Sequence, residues 1–159
     1  MPDPVRDFLR HTLATIAYRG GKALRGAPPE AAAYVCGPRT RTPLQILGHI
    51  NDLLDWALSL CEGQGRWNTT KPVSWDDEVR RFFAGLARVD AFVSSERPLG
   101  CAPEQLFQGP IADALTHVGQ IAMLRRLAGA PVKGENYFKA DIAAGRTGPD
   151  QAAPRFEFD

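Results

Sequence analysis

The sequence predicts an all-α fold, a four-helix bundle followed by an irregular C-terminal tail. Three observations predict it. Four stretches repeat apolar residues at the spacing of a helix. Helix-start signals built from Asp, Thr, Ser and Pro precede these stretches. No segment shows the strict apolar–polar alternation of a half-buried strand. The 159 residues suit one domain with a real core, the bundle over about 4–130 and the tail over 131–159.

Asp3-Pro4 opens the first helix, with Asp as N-cap and Pro at the first helical position. Val5, Phe8, Leu9, Thr12 and Ile16 then recur at helical spacing and are expected to face the core. The helix fades near Gly20-Gly21 or a turn later, and His11 falls off the stripe and reads as a surface residue. Residues 26–41 form a loop punctuated by Gly and Pro, with an Ala-rich turn in its middle. Thr42, Pro43 and Gln45 make a capping box for the second helix. Its apolar row runs through Ile46, Ile50, Leu53, Ala57 and Leu60, and His49 sits on the flank of that row beside Trp56. Asp52 and Asp55 fall further round and are expected in solvent.

After a polar connection containing Trp67 and Pro72, Ser74 opens the third helix, whose early Asp76, Asp77 and Glu78 suit its positive end. Val79, Phe82, Phe83, Leu86, Val89 and Val93 form a core stripe with no candidate ligand, so this helix reads as scaffold. A short lead-in turn from Pro103 reaches Gly109-Pro110, with Pro110 in the first turn of the fourth helix. That helix runs from Ile111 to Gly129, where Gly and Pro131 stop it. The remainder is rich in Gly, Pro and charge and packs over the bundle, with one short helical piece around Tyr137 to Ala144.

Composition excludes several classes. The formal net charge is +1 and the basic residues are scattered, which argues against a nucleic-acid partner. No apolar run approaches the ~20 residues that span a bilayer, and the charged N-terminus lacks the apolar stretch of a signal peptide. A cytoplasmic protein without a membrane partner is the expectation. Cys36, Cys61 and Cys101 are isolated and odd in number, as ordinary reduced thiols are.

The sharpest chemical signal lies on the fourth helix. Asp113 and His117 are separated by one helical turn and so share a face, which continues through Gln120, Leu124 and Leu127. With His49 from the second helix they offer two imidazoles and a carboxylate. Such a set holds a divalent transition metal (Zn, Ni or Fe, and also Mn or Co) and leaves a position open for water or substrate. The bland alternative makes Asp113 a first-turn acid of the helix and His117 a hydrogen-bonded core residue. No nucleophile elbow, P-loop or dinucleotide fingerprint competes.

LGHINDLLDW in the second helix and DALTHVGQIAMLRRLAG in the fourth resemble the DinB/YfiT-like superfamily of four-helix-bundle metalloenzymes. The resemblance spans roughly residues 4–130 and is most specific at His117–Gln120. It implies an up-down-down-up bundle, three metal ligands and frequent homodimerisation. His49 and His117 match two of the family's ligand positions, and Asp113 stands where the family's helix-four motif has its first His. A carboxylate there either ligates and favours a harder ion or marks a weakened site. Related members include transferases and isomerases that use low-molecular-weight thiols.

The function expected is therefore a metal-dependent enzyme acting on a small molecule through activated water or thiol, of hydrolase or thiol S-transferase type. His49, Asp113 and His117 are its expected ligands, and Gln120 a pocket residue beside them. The alternative is a non-catalytic small-ligand-binding or stress-associated interaction module with a degenerate metal site. In the tail, GENYFKADI either caps the open end of the bundle with Glu135, Asn136 and Lys139 near its mouth, or is a solvated segment.

Overall fold

Each long helix begins where its capping chemistry places it. In a computed structural model, which describes residues 3–158, the chain is mostly helical. Helix α1 spans Pro4–Leu24, and the Asp3 carboxylate accepts from the Val5 and Arg6 backbone N–H groups. A four-residue helix, α2, spans Pro29–Ala32 in the Ala-rich part of the loop. Helix α3, Pro43–Cys61, carries the capping box in full, with Thr42 and Gln45 satisfying each other's backbone N–H. Helix α4, Trp75–Ser94, is capped by Ser74. The short α5, Pro103–Leu106, leads into a segment over Phe107–Ile111 that kinks at Gly109, where the backbone angles are not helical, and α6, Ala112–Leu127, follows.

Helices α1 and α3 each pack against both α4 and α6, enclosing one apolar core. Leu13, Ile16, Leu47, Ile50, Leu54, Phe82, Leu86, Val89 and Ile121 are fully buried there. A Cβ at Gly20 would stand 2.5 Å from Phe82 Cζ, so the small residue lets the Phe82 ring reach α1. No helix among the described residues is long and apolar enough to cross a membrane.

Two expectations from the sequence are corrected, and a third is extended. The buried arc of α1 is Leu9, Leu13, Ile16, Ala17 and Leu24, whereas Val5 is 49% and Phe8 62% exposed. The arc is set by contact with α4 and α6, and the first turn instead borders an open groove with Pro103 and Phe107. Asp52 is buried: it accepts from the Thr70 N–H and hydroxyl and pairs with Arg81 at 2.7 Å. Glu78 is more than a dipole-matching acid, because it is buried and accepts from Asn51 Nδ2 at 2.8 Å and from the Val73 N–H.

The tail is irregular except for a 3₁₀ turn at Tyr137–Lys139 and two short strands, β1 (Gly134–Glu135) and β2 (Glu157–Phe158). The strands pair antiparallel, Gly134 with Phe158 and Glu135 with Glu157. The helical piece expected over 137–144 thus shrinks to three residues. Glu135 does not reach toward a bundle mouth. It is buried against α1, where the Tyr18 hydroxyl donates to it at 2.7 Å.

Candidate metal centre

Two helices deliver three donor groups to one place. His49 projects from α3, and Asp113 and His117 project from the first turns of α6. One donor atom from each lies within 4.8 Å of the other two. Asp113 stands between the imidazoles, with Oδ2 at 3.7 Å from His49 Nε2 and Oδ1 at 3.4 Å from His117 Nε2. The rings meet nearly edge to face, with centroids 4.7 Å apart at 81°. The two carboxylate–imidazole separations exceed the length of an ordinary hydrogen bond. They lie close to the ~3.4 Å that separates two donors each ~2.1 Å from a tetrahedral ion. Nitrogen and carboxylate oxygen are the donors such ions take, so the residues fit a divalent transition metal.

Protonation favours the same reading. Burial holds the His49 pKa below its ordinary value. The neighbouring His117 ring and the Arg41 charge add to that depression, and Asp113 opposes it. His49 is therefore a neutral imidazole at neutral pH, as a ligand must be. His117 Nδ1 lies 2.8 Å from the side-chain oxygen of Gln120, three residues on. An amide oxygen only accepts, so Nδ1 carries the proton and Nε2 turns its lone pair toward Asp113 and His49.

The connection between α3 and α4 covers the site, which its sequence did not announce. The Trp67 ring packs against His49 at 5.7 Å and Trp56 at 5.8 Å between centroids. Ser59 Oγ accepts from the Arg66 N–H at the start of this strap, and Asp52 holds Thr70 near its end. Pro72 lies over Gly48, where a Cβ would come within 2.6 Å of its ring. The available signals were the lone Trp67 in a polar stretch and the glycine beside His49.

Arg41 also went unremarked in the sequence. It lines a groove of about 470 Å³ that opens beside His117, between the loop before α3 and the exposed side of α6. His117, Gln120, Leu124 and Leu127, the α6 row that the sequence aligned, all border this groove. His11 is exposed on α1, as its spacing predicted, and takes no part in the donor set. No family model, curated protein or solved structure matches the chain.

Proposed function

We propose that the chain is a cytoplasmic metal-dependent enzyme of the DinB/YfiT-like type, its four long helices forming an up-down-down-up bundle. His49, Asp113 and His117 hold one divalent transition metal, Zn, Ni or Fe, and Gln120 orients His117. The observation that carries this reading is the convergence of His49 from α3 with Asp113 and His117 from α6, at separations suited to a shared ion. A bound metal supplies Lewis acidity, which makes water or a low-molecular-weight thiol nucleophilic at neutral pH.

The protein's own groups supply the rest. Asp113 brings one negative charge against the ion's two, so the centre keeps a positive charge and draws an electron-rich group. Trp67 and Trp56 shield the His49 side from water, while the groove beside His117 stays open for a small substrate. The reaction is hydrolytic or a thiol S-transfer. The oligomer we propose is a homodimer, supported by the exposed Val5, Phe8 and Phe107 around one apolar groove. A monomer by light scattering at micromolar concentration would remove that part.

The deciding measurement is the metal content of untagged protein, wild type beside Asp113→Ala. Near-stoichiometric metal in the wild type and a clear loss in the variant are expected. A wild type that takes up no Zn, Ni or Fe(II) when supplied would sink the enzyme reading. The trio would then be a polar network in a non-catalytic ligand-binding module.

A further inference from the structure

We infer that the groove beside the metal centre is a binding site for a small amphipathic anion, its acidic head on Arg41 and its apolar body along α6. The inference rests on the proposed function for the metal, and it adds the chemical class of the substrate. Three observations carry it.

The first is the composition of the walls. Ile46, Met123, Leu124 and Leu127 form a continuous apolar face, and Met123 and Leu127 are 58% and 55% exposed. Two neighbouring large apolar side chains left in water on one helix face bind whatever apolar body can cover them. The cavity of about 470 Å³ falls within the range of small-molecule sites.

The second is a cation with no partner. Arg41 makes no ion pair or hydrogen bond among the described residues; the side chains of Arg25, Arg39 and Arg66 share that state, but Arg41 is the arginine that lines the groove. No acidic side chain lines the groove. A guanidinium with five free donors beside an apolar wall is a fork for a carboxylate or another small oxyanion.

The third is the sign of the charge at the inner end. The groove reaches His117, so a ligand with its head on Arg41 lies alongside the metal ligands. A divalent ion less the Asp113 charge leaves one positive charge there, and Arg41 adds a second. A cationic ligand is repelled by both and a neutral one gains only the weaker ion–dipole attraction, whereas an anion is attracted at full charge by both.

The test uses octanoate as the anionic probe and octan-1-ol as its neutral counterpart of equal chain length. Binding is followed by calorimetry on the full chain, metal-loaded and chelator-treated, for wild type, Arg41→Gln and Leu127→Glu. Metal content is assayed on each sample. Octanoate is expected to bind the wild type more tightly than octan-1-ol. Arg41→Gln should weaken octanoate by about tenfold or more, with octan-1-ol and metal content unchanged. Leu127→Glu should weaken both probes.

Equal affinity for the two probes, or an Arg41→Gln variant that keeps octanoate, would overturn the inference. So would a Leu127→Glu variant that turns a dimer into a monomer while neither probe binds the wild type, since the groove would then belong to a second copy. A wild type that binds octanoate through Arg41 but takes up no metal would overturn the enzyme reading and leave the anion site standing.

Discussion

Gln120 shows how much a single side chain can govern at this centre. It touches no other donor, yet its oxygen sets which nitrogen of His117 carries the lone pair. Gln120→Ala should leave the fold intact, because the residue is exposed. It should weaken metal affinity by about 10- to 100-fold, the usual effect of removing such a partner. Competition with a chromophoric chelator reads this directly, and an unchanged affinity would remove Gln120 from the site. This role was half legible in the sequence, because residues three and four apart on a helix must share a face. The i, i+4 spacing of Asp113 and His117 and the flank position of His49 were legible for the same reason. Arg41 was not, because a loop residue carries no periodicity to say where it points.

Among the elements, the seam between α3 and α4 separates what burial contributes from what a surface charge contributes. Asp52 is 3% exposed and holds Arg81 and both polar groups of Thr70. Asp55 reaches the same Arg81 at the same 2.7 Å, but its side chain is 41% exposed. Asp52→Ala leaves Arg81 with Asp55 and Glu78 but removes the buried acceptor shared by Arg81 and both polar groups of Thr70, and should cost about 2 kcal/mol in urea unfolding. Asp55→Ala breaks two solvent-screened ion pairs, with Arg81 and Arg88, and should cost under about 1 kcal/mol. Equal losses would mean that burial does not distinguish them. Asp52→Ala should also shift Trp67 fluorescence, because Thr70 secures the strap that carries Trp67 over His49. The sequence could place both aspartates off the apolar row of their own helix. Burial of Asp52 arises from Thr70 and Arg81, 18 and 29 residues away, which no local pattern reports. The break at Gly109-Pro110 was legible, and the structure kinks there with non-helical backbone angles at Gly109.

At the scale of the whole molecule, the tail is bound to α1 through charged groups gathered at the buried Lys22. Lys22 is 6% exposed and meets Glu157 at 2.8 Å and Glu135 at 3.8 Å, while Tyr18 donates to Glu135. Burial pushes the Tyr18 phenol well above its ordinary range, so it stays a donor at every physiological pH. The helices could be read as elements because each carries its own caps and period. The tail could not, because Glu135 and Glu157 become a pair only through a strand register and a lysine more than a hundred residues earlier. That arrangement has a pH signature. The Lys22 ammonium, as hydrogen-bond donor and as charge, holds Glu157 below its ordinary 4.5. A carboxylate with a depressed pKa stabilises the fold fully above its unfolded value, and that contribution disappears as pH falls through the folded value. Tail attachment should therefore be flat at neutral pH and weaken below about 4.5. Amide exchange at Asn136, whose N–H donates to the Phe156 carbonyl at 3.0 Å, reports the β1–β2 contact. Glu157→Gln should exchange faster than wild type at neutral pH, and the difference should close as pH falls below 4.5. A difference that persists unchanged into acid would mean that the Lys22–Glu157 charge pair does not hold the tail, leaving Tyr18 and Glu135 to do so.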